Sequence, residues 1–135
     1  MKKLLEMMWF PILVVTFNFS SPAIYLYANF WIFDVIMHTL GGIAIANMLF
    51  IYLKYFGKNW WKQIPSHMQF VFSVSFVGLF GIMWEFYEFL NDLFYKTHMQ
   101  PSIADTMQDL FFDLVGAVIF TAIYLFFRQH SRSEK

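Results

Sequence analysis

IADTMQDLFFDLVGAVIFTAIYLFF, residues 103–127, decides the fold. Its uninterrupted apolar part, residues 114–127, has 14 residues and as a helix reaches about 21 Å, short of a hydrocarbon core near 30 Å. A crossing helix must therefore begin near Ile103, which carries Asp105, Asp109 and Asp113 into its outer part. At about 100° per residue these acids fan over only about 80°, so they share one helix face.

The rest of the chain has the same character. Of its 135 residues, 59% are apolar, 23% aromatic and 13% charged, against about 25% charged in soluble domains. Four apolar segments, about 4–19, 30–53, 70–90 and 103–127, predict an all-α, polytopic integral membrane protein. The expected architecture is a single domain over residues 1–135, a compact bundle of four transmembrane helices. The first segment, about 24 Å if helical, is short and carries Pro11. Lys2 and Lys3 ahead of it resemble a signal peptide, but Glu6 interrupts the basic start and residues 20–23 offer no small-x-small cleavage site, so we read the segment as retained. Residues 23–29, with Tyr25 and Tyr27, suit a headgroup-level connection, and residues 54–68 read as a basic, Trp-bearing loop.

Several function classes drop out. No Cys means no disulfide, thiolate metal site or Cys nucleophile. The spans leave no room for a nucleic-acid-binding module. No Gly-rich phosphate loop, G-x-S-x-G elbow or H-E-x-x-H helix occurs, and no internal repeat announces a transporter. With four spans, the N-terminus, residues 54–68 and the C-terminal tail share a side and hold eight of the nine Lys and Arg, with Lys96 opposite. The positive-inside rule then puts both termini in the cytoplasm.

That topology brings seven of the nine acids to one depth. Asp34 and His38 lie near the outer end of the second span, Glu85, Glu88 and Asp92 in the last turns of the third, and the three aspartates in the first turns of the fourth. Ser75, Gly78 and Gly81 continue the acidic stripe of the third span, with Gly41 and Gly42 below His38 and Gly116 and Ala117 below Asp113. Small residues let helices approach closely, so these stripes are expected to face one another.

A carboxylate at the bilayer centre costs about 2.5–3.5 kcal/mol on insertion scales, and several at one depth repel each other. The spans hold no Lys or Arg to offset this. Three solutions remain: divalent metal, protonated acids, or a water-filled vestibule with mobile counterions. We favour metal, with His38, Glu85, Glu88, Asp109, Asp113 and Asp105 as candidate ligands. Hard oxygens weight Mg or Mn, and His38 keeps Zn or Fe open. For catalysis the candidates are His38 as ligand or general acid/base, Asp34 as its orienting carboxylate, and Glu88. Asp92 and Asp105 also suit plain helix ends.

Asp34-x-x-x-His38, Glu85-x-x-Glu88 and Asp109-x-x-x-Asp113-x-x-Gly116-Ala117, in this order, resemble the VanZ-like membrane proteins. Trp84 before Glu85, and Asp105-Thr106 before Asp109, bring the chain closer to their relatives of the YjdF type. The likeness covers about residues 30–120. Glu88 and Asp113 stand where VanZ-like chains usually carry Gln and Asn, which makes this site more acidic. YjdF-type proteins tend to be longer. The resemblance implies a multi-pass protein of a prokaryotic cell membrane, with glycopeptide resistance attached to some relatives and no established reaction.

Three functions fit these residues. The first is a metal-dependent hydrolase or transferase acting on an envelope lipid or lipid-linked substrate from the outer face. Without Lys or Arg in the site, an anionic headgroup would be held only through the metal. The second is a proton- or cation-coupled transporter, and the third a scaffold or accessory subunit whose polar belt is structural.

Overall fold

The computed structural model describes residues 2–20, 26–27 and 29–133. Among these every regular element is helical: α1 Lys2–Asn18, α2 Trp31–Phe56, α3 Lys58–Gln63, α4 Ser66–Tyr95 and α5 Ile103–Ser133. Of the expected interfacial connection, residues 23–25 and 28 lie outside the described residues, as do Glu134 and Lys135.

Among the described residues three helices are long and apolar enough to cross a membrane: Trp31–Phe56, Ser66–Tyr95 and Ile103–His130. They carry the second, third and fourth expected spans. The apolar part of α1, Met8–Asn18, is shorter. It packs on α2 through Val14, which clusters with Met37 and Ala44 among Phe10, Tyr27, Phe33 and Leu40.

The helices outrun the apolar segments because their polar ends leave the hydrocarbon with their backbone hydrogen bonds intact. The expected loop over 54–68 is largely helical: α2 continues to Phe56, α3 occupies Lys58–Gln63, and α4 begins at Ser66. Likewise Arg128 and Arg132 belong to α5 and not to a tail.

Glycine sets the closest approach. A Cβ on Gly42 would stand 2.1 Å from the backbone O of Asp113, and one on Gly116 2.1 Å from the backbone O of Thr39. Hydrogen alone fits at these two points, so α2 and α5 touch backbone to backbone. The small-residue stripe of α4 needs one correction. Ser75 is exposed and Ser73 is buried, because the inward face follows Gln69, Ser73, Val77, Gly81, Glu85 and Glu88. Those steps of four and three hold one helix face, whereas Ser75 lies off it.

Away from the acids, Leu49, Phe50, Leu53, Trp61 and Leu125 form an apolar cluster that docks α3. Polar groups inside this half are mutually satisfied. Ser73 Oγ and Thr121 Oγ1 share a hydrogen bond of 2.9 Å. Gln69, fully buried, donates to the backbone O of Trp61 at 2.8 Å and of Ile64 at 2.9 Å. Its Oε1 accepts from Arg128 Nη1 at 2.6 Å. The Gln69→Leu variant takes the side-chain donor from two carbonyls and one acceptor from Arg128, and is expected to lose about 1–3 kcal/mol of stability, read as a lower midpoint of thermal unfolding in detergent.

Candidate functional site

Each helix supplies its ionisable groups at an interval that puts them on one face. Asp34 and His38 are four apart on α2, Glu85 and Glu88 three apart on α4, and Asp109 and Asp113 four apart on α5. The Gly42–Gly116 crossing draws α2 and α5 together just inside this level. Gly81 makes room from α4, since a Cβ there would lie 2.6 Å from Asp113 Oδ2.

His38 sits at the centre. Its Nε2 faces Asp34 Oδ1 at 3.4 Å and Asp109 Oδ1 at 3.7 Å, and its Nδ1 faces Asp113 Oδ1 at 3.3 Å. His38, Glu85, Glu88, Asp109 and Asp113 are all buried, Asp109 to 1% exposure. Neighbours hold two of the acids in place. Trp84 Nε1–H donates to Glu88 Oε1 at 2.8 Å, and Gln100 Nε2 donates to Glu85 Oε2 at 2.6 Å. Two buried oxygens, Glu85 Oε1 and Asp109 Oδ1, have no hydrogen-bond partner.

Ligand atoms converge in two sets, each with all its atoms within 4.8 Å: Asp34, His38 and Asp109, and Glu85, Glu88 and Asp109. Five of the seven residues singled out from sequence thus supply the two sets, which share Asp109. Asp113 touches the imidazole from outside both sets. Asp105, half-buried in the first turn of α5, also lies outside them, with its backbone N–H donated to Ser102 Oγ at 3.2 Å.

Asp92 is a structural clasp. Its carboxylate accepts from Thr97 Oγ1 at 2.5 Å, Met99 N at 2.7 Å and Gln100 N at 2.8 Å. These bonds fold a loop in which Lys96 and His98 both adopt positive φ, at 56° and 59°, and bring Gln100 onto Glu85. In Asp92→Ala the amides of Met99 and Gln100 are expected to lose their protection in hydrogen exchange, while the centre of α4 keeps its own.

Sequence reasoning missed Trp84 and Gln100 as partners of the acids. Trp84 carried a signal, lying four residues before Glu88 on one face. Gln100 carried none, because its position depends on the loop that Asp92 folds.

Beside the acids opens a cavity of about 250 Å³, with an apolar lining that includes Val14, Phe19, Met48 and Met83. His38 and Asp113 form part of its wall. It joins an oily space to the ionisable cluster.

Similarity to known proteins supports a membrane assignment. An "Uncharacterized protein" of Thermotoga maritima is 30% identical over 92 residues, 67% of this chain and 46% of the relative. The chain thus spans about half the length of that curated relative. No solved structure matches it significantly. Residues 3–131 match the family described as "Predicted membrane protein (DUF2238)", and with three apolar helices of crossing length around a buried polar cluster, the chain belongs to that family of membrane proteins.

Proposed function

We propose that this protein binds a divalent metal within the outer half of a prokaryotic cell membrane and uses it on the headgroup of an envelope lipid. One observation carries the reading: four buried carboxylates from two helices cluster beside a single imidazole, Asp109 and Asp113 facing it and Glu85 and Glu88 converging on Asp109, and the apolar spans hold no Lys or Arg. Buried carboxylates must be neutralised by a cation or by protons, and a divalent ion would offset the charge that His38, with at most one of its own, leaves unbalanced. The donors suit Mg, Mn, Zn or Fe.

The two faces of His38 divide its roles. Nε2, facing Asp34 and Asp109, is the ligating nitrogen, and Nδ1–H points to Asp113, which orients the ring as carboxylates do behind metal-bound histidines. In this reading Asp34 ligates and Asp113 positions the imidazole. Glu85, Glu88 and Asp109 complete the metal's surroundings, and Asp105 stays at the rim.

α1 serves as the fourth span in this proposal, its 17 residues reaching about 26 Å. Both termini then face the cytoplasm with eight of the nine basic residues. The apolar cavity supports a lipid as substrate, since an acyl chain inserted from the bilayer would bring its headgroup to His38. The narrower likeness to VanZ-like and YjdF-type proteins agrees with this placement and rests on the quoted motifs alone.

The test uses purified protein in vesicles of phosphatidylethanolamine and phosphatidylglycerol, stripped of metal and then given Mn. Headgroup release that needs both Mn and Asp109 supports the enzymatic reading. Mn bound without any turnover of either lipid argues against these headgroups as substrates and leaves the metal site to be judged by its own binding.

A further inference from the structure

The two ligand sets share one residue. Asp34 and His38 from α2 form one set with Asp109, and Glu85 and Glu88 from α4 form the other with the same Asp109. Resting on the metal-binding reading above, we propose that the site holds two divalent ions bridged by the Asp109 carboxylate.

Three features converge on this pairing. Asp109 is the most deeply buried acid of the cluster, and its Oδ1, 3.7 Å from His38 Nε2, makes no hydrogen bond. Such an oxygen, taken from water and given no donor, is strongly disfavoured as an anion unless a cation meets it or a proton neutralises it, and a shared cation is the solution that the two converging sets favour. The second set has its own orphan, Glu85 Oε1, while the other oxygen of that residue is already engaged by Gln100. An unsatisfied oxygen therefore stands in each set.

Charge points the same way. The four carboxylates of the two sets are balanced by two divalent ions, whereas one ion leaves half their charge uncompensated in a low-dielectric interior. A bridging carboxylate holds two ions about 3.5–4 Å apart, the separation at which paired metals act together on one oxygen substrate. Each set provides three protein residues, which leaves coordination positions for water or a headgroup oxygen. The sets also differ in chemistry. Imidazole with two carboxylates accepts Zn or Fe as readily as Mn, and the all-oxygen set favours Mg or Mn.

Titration of metal-stripped protein in detergent with Mn(II), followed by equilibrium dialysis and electron paramagnetic resonance, decides the matter. Two equivalents with an exchange-coupled spectrum are expected. Glu88→Gln should then keep one equivalent with the six-line spectrum of an isolated ion, and Asp34→Asn should do the same at the opposite set. One equivalent in the parent, or two whose spectra are uncoupled, overturns the bridged pair while leaving the metal-binding reading intact. No bound Mn in folded parent protein overturns both.

Discussion

Gly42→Ala and Gly116→Ala are each expected to cost about 3 kcal/mol or more, the upper end of what overpacking a close contact produces. The added methyl in either variant meets a backbone carbonyl at 2.1 Å, and a backbone cannot turn aside as a side chain does. α2 and α5 must separate, and His38 and Asp113 ride on those helices beside the crossing. Gly78→Ala is the control. Its methyl meets only Leu114 Cδ2, at 3.2 Å, which a small rotamer change relieves, so its midpoint should shift little. Thermal unfolding of the three variants in one detergent gives the ranking. Equal midpoints for Gly42→Ala and Gly78→Ala would show that the crossing is looser than described.

Asp109→Asn should reverse its effect depending on metal. Without metal, Asp109 is a buried carboxylate with an unpartnered oxygen, so replacing it by a neutral amide is expected to stabilise the protein by about 1–3 kcal/mol. With metal, the parent gains by mass action, about 2.7 kcal/mol at a hundredfold excess over the dissociation constant. The variant lacks the shared ligand and should gain almost nothing. Stability curves of the pair should therefore cross as Mn is added, and parallel curves would contradict the assignment of Asp109. Metal binding needs ionised carboxylates and a neutral imidazole. The Mn-dependent gain should accordingly shrink as pH falls and protons compete for the same oxygens.

Much of this site was legible because burying charge in a membrane leaves few options. The 14-residue run after Asp113 was too short to cross alone, so the aspartates had to lie inside a helix, and α5 begins at Ile103 as that argument required. Spacings of three and four put Glu85 with Glu88 and Asp109 with Asp113 on single faces, and the glycines foretold which faces meet. Less legible were features set by non-local geometry. Gln69 looks like a loop-edge residue in sequence, yet Arg128, far along the chain, makes it the hub of the opposite end. Which nitrogen of His38 faces which acid depends on helix rotation, and no spacing rule states it. Ser73 in place of Ser75 illustrates the same limit: a stripe drawn in steps of three drifts off the face that steps of four keep.

A cation among the buried acids is open to direct detection by elemental analysis. Protein purified in detergent without chelator should carry at least one equivalent of Mg, Mn, Zn or Fe, and the Glu85→Gln/Asp109→Asn variant, prepared identically and folded, should carry none. A folded parent free of divalent metal that also fails to take up added Mn would contradict it.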